Sequence, residues 1–124
     1  MDCSCIEMDI DGTCEFYNEK IVTARKSHKC SECGAEIKPG YKYEYVFGIW
    51  EGDKFTVKTC ADCLSLRNAF FCSGYYHENI REEIQSFIND CGGDISEKLI
   101  SNLTKKAREW VCAQIEFQWS YLDD

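Results

Sequence analysis

Two cysteine pairs carry the strongest chemical signal in this chain: Cys30-Ser31-Glu32-Cys33 and Cys60-Ala61-Asp62-Cys63, with 26 residues between them. A CxxC turn places two sulfurs on one side of a point, and a tetrahedral ion needs two more from elsewhere. Cys30, Cys33, Cys60 and Cys63 are therefore expected to hold one zinc ion. Four protein sulfurs leave no position for water or substrate, so the expected ion is structural and not catalytic. A redox CxxC would need a thioredoxin-like βαβ setting, and the surrounding pattern does not provide one. An iron–sulfur cluster uses the same ligand type, but the hairpin-then-helix setting read below favours zinc.

A second group of thiols starts at the terminus with Cys3-Ser4-Cys5. Cys3, Cys5 and Cys72, with Cys14 or alternatively His77 as the fourth ligand, supply a second candidate zinc site. The competing reading makes Cys14 and Cys72 small buried hydrophobes and the CxC a loose end. Cys91 and Cys112 fall in helical sequence and read as buried thiols. His28 suits a supporting role beside the first pair better than ligation. Neither histidine forms a nucleophile–base pair with a cysteine, so no enzyme is expected.

These ligands need elements to hold them. Gly34 follows the second thiolate, and Pro39-Gly40 reads as a turn. The runs Tyr41–Phe47 and Phe55–Thr59 are aromatic and β-prone, and Glu51-Gly52-Asp53-Lys54 between them reads as a hairpin turn. Leu64–Phe71 then looks helical directly after the second pair. That order is a treble-clef arrangement: zinc knuckle, β-hairpin, then a helix whose first turn supplies two ligands. The positive end of a helix also favours thiolate over thiol.

Beyond Ser73-Gly74 the pattern turns helical. Ile80, Ile84, Phe87 and Ile88 form an amphipathic stripe within 77–91, and Gly92-Gly93 ends it. A short helical segment is expected over 95–103. Thr104 is a plausible N-cap for a last helix over 105–121, with Ala107, Trp110, Val111, Gln114, Ile115, Gln118 and Trp119 on its core face. The expected fold is α+β. A treble-clef-type zinc module occupies 1–75, and a small C-terminal helical subdomain, 76–124, packs on it. Asp9-Ile10-Asp11-Gly12 reads as a turn and not as a calcium loop, because the twelfth position carries no acid.

Charge and compartment limit the partners. The chain has 124 residues and a net charge of −8, which opposes a general grip on phosphate. The charge is uneven: residues 1–19 carry six acids and no base, whereas 20–38 carry five bases against two acids. Arg25, Lys26 and Lys29 lie in that basic stretch, just ahead of the first pair. Ten cysteines suit either a secreted disulfide scaffold or a cytosolic metal protein. Met1–Cys5 shows neither the basic nor the apolar part of a signal peptide, and no apolar run reaches membrane-spanning length. A cytoplasmic protein with thiolates and no membrane partner is expected.

The segments Ala24–Gly34, Ile37–Tyr43, Gly48–Gly52 and Lys58–Cys63, together with Asp2–Cys5 and Phe71-Cys72, resemble a family of small cysteine-rich zinc-binding proteins of phages and prophages. The resemblance covers about residues 2–75. It implies a treble-clef-like zinc module in a bacterial or infected-host cytosol, and it supplies no activity. The function expected is a non-enzymatic, zinc-stabilised module that binds a host or phage protein, with Tyr43 and Trp50 among its anchors. The alternative is a zinc-finger nucleic-acid-binding protein that uses the stretch 20–38. A metal-dependent nuclease would place histidines on the helix after the hairpin, and 64–71 has none. A ubiquitin-ligase-type double site would need cross-braced ligand order, which these cysteines do not follow.

Overall fold

The structure, a computed structural model, describes residues 3–8, 16–72 and 74–122. In chain order its elements are β1 (Phe16–Thr23), β2 (His28–Lys29), β3 (Glu36–Ile37), β4 (Lys42–Trp50), β5 (Asp53–Cys60), α1 (Ala61–Phe70), α2 (Ile80–Asp90), α3 (Glu97–Ile100) and α4 (Lys105–Leu122). The fold is mixed α+β, as expected. The turn read at Asp9–Gly12 lies outside the described residues.

The two aromatic, β-prone runs pair as the β4–β5 hairpin, closed at Trp50↔Asp53. Glu51 and Gly52 both adopt positive φ, 51° and 84°, the two-residue turn whose twist matches that of the flanking strands. At Gly48 a Cβ would stand 2.3 Å from the Phe55 ring, so the ring lies directly on backbone there. The hairpin gains a third strand: β1 lies antiparallel on β4, from Phe16↔Ile49 to Thr23↔Lys42. Sequence reasoning did not mark β1 as a strand. Seven of its eight residues are exposed, so it lacks the in–out alternation that reveals a half-buried strand. β2 and β3 form a separate two-stranded ribbon around the first cysteine pair.

The helical stripes behave as their spacing predicts. Ile80, Ile84, Phe87 and Ile88 of α2 are buried with Ala107, Val111 and Ile115 of α4, and Leu66 and Phe70 of α1 join them. α2 starts three residues later than expected, at Ile80, and the expected segment over 95–103 shrinks to α3. Thr104 caps α4, accepting from the Ala107 N–H at 3.3 Å; its hydroxyl donates to Asp62 at 2.6 Å. On α4, Trp110 packs on the core, but Trp119 is 53% exposed and lies outside it.

The segment 3–8 forms a strap. Ile6 pairs in parallel with Phe71 and is buried in the helical core. Residues 3–8, grouped in sequence with the zinc module, thus pack with the helices. Two disulfides fix the strap, Cys3–Cys91 and Cys5–Cys72. This corrects two expectations: Cys91 is not a buried free thiol, and these cysteines are not held as thiolates. Cys112 is free and half-buried.

The β and helical parts meet at a buried ion pair. Arg67 of α1 donates to both carboxylate oxygens of Glu44 on β4, at 2.7 and 2.6 Å. The bidentate geometry satisfies both groups where water does not reach them. The Arg67 guanidinium also lies 4.3 Å from the centroid of the Tyr75 ring.

Candidate metal centre

The first cysteine pair sits in a tight turn between β2 and β3. The Cys30 N–H donates to Ala35 O at 2.9 Å, and the Gly34 N–H returns to Cys30 O at 3.0 Å. Gly34 adopts φ +76°, the left-handed value that lets the chain reverse after Cys33. Ser31 then docks this turn on the hairpin. Its N–H donates to Lys58 O at 2.7 Å, and its hydroxyl accepts from the Lys58 N–H at 3.1 Å. That pair of hydrogen bonds fixes β5 against the turn and brings Cys60 to Cys30.

The second pair opens α1. Cys60 is the helix N-cap, and its sulfur accepts from the Cys63 N–H at 3.5 Å. The Cys30 sulfur accepts from the Cys60 N–H at 3.4 Å. Backbone N–H groups and a helix N-terminus aimed at sulfur stabilise thiolate. α1 starts at Ala61, so the second cysteine pair lies at its N-cap and first turn, where the sequence order put it.

The four sulfurs of Cys30, Cys33, Cys60 and Cys63 all lie within 4.8 Å of one another. Metal–sulfur bonds of about 2.3 Å in a tetrahedron require sulfur–sulfur edges of about 3.8 Å. The Cys33–Cys60 edge is 3.9 Å. Cys30 and Cys63 are buried, and Cys33 and Cys60 are half-buried. The donor set fits a metal ion.

The electrostatics lead to the same conclusion. Hydrogen bonds from the Cys60 and Cys63 thiols hold Cys30 far below the ordinary thiol range. The hydrogen bond to Cys30 pushes Cys60 up to about 12, and Cys63 is raised further by its bonds to Cys30 and Cys60. One sulfur ionises readily and its neighbours then resist. Four thiolates this close need a cation among them. Positive charge is also supplied from outside: Arg81 of α2 donates through Nε to the Cys63 sulfur at 3.3 Å. Its guanidinium lies 4.8 Å from the Trp110 ring centroid, which fixes it in place. Sequence reasoning missed Arg81, because nothing in its local sequence relates it to a cysteine 18 residues earlier.

Glu32, inside the first pair, also reaches α2. Its carboxylate accepts the Glu78 N–H at 2.6 Å, just ahead of the helix start. Burial pushes this carboxyl up to about 7, against the opposing pull of that N–H. The first cysteine turn therefore fixes the start of α2 through Glu32, and α2 returns Arg81 to the sulfurs.

The other candidate residues are placed as follows. Cys5 and Cys72 are brought together, and with Glu7 their ligand atoms lie within 4.8 Å; Cys3 is joined to Cys91. Cys14 lies outside the described residues. His77 stands apart from these sulfurs. Its Nε2 is 3.0 Å from the Tyr17 hydroxyl and its ring packs edge-on against Tyr75. Burial, with Arg67 nearby, lowers the His77 pKa. Burial and the Tyr75 hydroxyl push Tyr17 well above the usual phenol range. His28 is not grouped with the four sulfurs; its Nδ1 lies 3.1 Å from Lys58 Nζ and its ring 5.2 Å from that of Tyr43.

Of the proposed contact residues, Arg25, Lys26 and Lys29 are exposed. Trp50 is 38% exposed, but Tyr43 is buried beside the cysteines. Tyr43 is therefore core and not an anchor: period-2 alternation turns it to the cysteine side of β4. Among the described residues, no helix is long and apolar enough to cross a membrane. No known protein family, curated protein or solved structure matches the chain.

Proposed function

We propose that this protein is a non-enzymatic, zinc-stabilised protein-interaction module of phage or prophage origin that works in the bacterial or infected-host cytosol. Zinc is the ion favoured by a closed set of four thiolates. The order of cysteine turn, hairpin and helix supports a treble-clef-type module. Its resemblance to the phage and prophage proteins supports the setting.

One observation carries the interaction reading. The small sheet exposes large apolar side chains: Phe16, Tyr17 and Trp50 toward the hairpin-turn end and Ile21 nearer the cysteines, with Tyr41 just before β4 at 62% exposure. Aromatic anchors of this kind dominate interface energies. The cysteine centre holds the strands that present them and has no open position for chemistry. The test is affinity capture from host lysate with the intact protein and with Ile21→Glu and Trp50→Ala. One specific partner, lost in both variants while metal content is unchanged, supports the reading. Capture unaffected by either variant contradicts it.

A second reading is favoured by the strand register. Lys20, Tyr45 and Lys58 fall in one cross-strand row, and Lys54 lies opposite Ile49 on the same face. Lysines interleaved with aromatics suit a single-stranded nucleic acid. Titration with DNA and RNA at about 150 mM salt, where screening is strong, separates the two readings. Micromolar binding, abolished by Lys20→Glu with Lys54→Glu, would promote the second.

A further inference from the structure

We infer that the open face of the three-stranded sheet is a docking surface for an acidic segment of a partner protein, one that carries an apolar stripe between its carboxylates. The inference rests on the interaction reading above and adds the chemistry of the partner and the face it meets.

The sheet has one covered side and one open side. On the covered side Glu44 of β4 is held by Arg67 of α1, and Val46, Val57 and Thr59 are buried. Strand alternation sends the intervening residues to the other side. There the register builds three rows across β1, β4 and β5: Lys20–Tyr45–Lys58, Asn18–Phe47–Thr56 and Phe16–Ile49–Lys54. Side-chain contacts agree with this placement. The Phe16 and Phe47 ring centroids are 6.1 Å apart, and His28 reaches both Lys58 and Tyr43. Phe16, Lys20 and Lys54 are exposed, and Tyr45, Phe47 and Ile49 are half-buried.

The open face has a simple charge pattern. Tyr45, Phe47 and Ile49 form an apolar spine along β4, about 14 Å long at the rise of a strand. Lys20 and Lys58 flank Tyr45 at one end, and Lys54 flanks Ile49 at the other. None of the residues in these rows is acidic, although the chain carries a net charge of −8. The strand acids lie on the other side. Glu44 pairs with Arg67, Glu19 accepts from the Tyr17 hydroxyl at 3.3 Å, and Asp53 lies opposite Trp50. Lysines set around an apolar spine complement carboxylates set around an apolar stripe.

The same lysines could meet phosphates, but the spine favours protein. Phe16 and Phe47 meet edge to face at 64°, so they form a ridge and not parallel platforms for successive bases. Ile49 has no π-face. A nucleic-acid strand gains its grip from phosphate contacts, and about three of them are strongly weakened at physiological salt. A protein segment draws most of its affinity from apolar anchors instead.

The test uses the zinc-loaded full chain, isotope-labelled for NMR, and three probes. One is a synthetic amphipathic helix peptide with leucines on one face and glutamates along both flanks. The second has lysines for the glutamates, and the third is oligothymidylate. At about 150 mM salt, where screening is strong, the glutamate peptide should bind best. It should shift the side-chain signals of Tyr45, Phe47 and Ile49 and leave those of Val46 and Val57 in place. Lys20→Glu with Lys54→Glu should weaken it about tenfold or more. Lys98→Glu with Lys105→Glu, the same charge change on the helical half, should not. Equal binding of the lysine peptide, tighter binding of oligothymidylate, or no binding of the glutamate peptide would each overturn the inference. So would the same shifts appearing when the protein alone is concentrated, which would make the face a contact between copies of this chain. Lysate capture separates this failure from failure of the interaction reading. A partner lost in Ile21→Glu and Trp50→Ala but kept in Lys20→Glu with Lys54→Glu leaves that reading standing and overturns this one.

Discussion

The cysteine-centred β half and the helical half solve the same stability problem differently. Around the first cysteine site the buried cluster is Ala24, Cys30, Ile37, Tyr43 and Cys63, and two of these five are ligand candidates. The helical cluster has twelve buried residues, almost all aliphatic or aromatic. A core as small as the first cannot offset the entropy of ordering the surrounding backbone. The second can draw on apolar burial alone. On the proposed zinc reading, metal binding becomes folding energy where the hydrophobic core is too small to act by itself. α1 belongs to both halves, with Cys63 in one cluster and Leu66 and Phe70 in the other.

Breaking the metal half should have the largest effect. Cys60→Ser removes a ligand but keeps a side chain able to cap α1, so its effect reads the metal and not the cap. Structural zinc contributes on the order of 10 kcal/mol in small modules, so this variant should lose its zinc and most soluble expression, as read by metal analysis and yield.

The next largest effect should come at the joint. Glu44→Ala leaves Arg67 buried without its carboxylate, which costs about 3–5 kcal/mol. The double replacement Glu44→Leu with Arg67→Met should recover most of that loss in urea unfolding. If the double variant is as unstable as the single, the pair is not the joint described.

The helical half should respond as an ordinary core. Ile84→Ala, at a fully buried position, should cost about 2–5 kcal/mol and leave the zinc content unchanged. A simultaneous loss of zinc would show that the two halves fold as one unit. Thr104→Ala removes the α4 cap and should cost about 1 kcal/mol, visible as a small fall in Tm.

The smallest effect concerns pH. The His77 pKa is lowered from 6.5 by burial and Arg67, so the folded state favours the neutral ring. That contribution is present above pH 6.5 and is lost as pH falls through the lower folded value. NMR titration should place His77 below 6.5, and a value above it would contradict the described environment.

The legible features were those with a local signature. The CxxC spacing, the hairpin turn at Glu51-Gly52 and the stripe Ile80–Ile88 each repeat with the period of their element. β1 was hidden because exposure removes alternation, although its Phe-Tyr and Ile-Val-Thr content is β-prone. The partner of Cys3 was hidden for a different reason: connectivity between remote cysteines is not encoded in spacing. Arg81 and the Glu44–Arg67 pair also depend on contacts between elements far apart in sequence. Tyr43 was misassigned because composition marks an aromatic as a potential anchor and only the register shows which face it takes.

Hydrogen exchange on the zinc-loaded protein, before and after a strong chelator, tests the central claim most directly. The account predicts that chelation removes protection from β2 through β5 and the first turn of α1. Protection of Ile84–Ile88 and Ala107–Ile115 should persist. Unchanged protection of the hairpin after the metal is gone would contradict it.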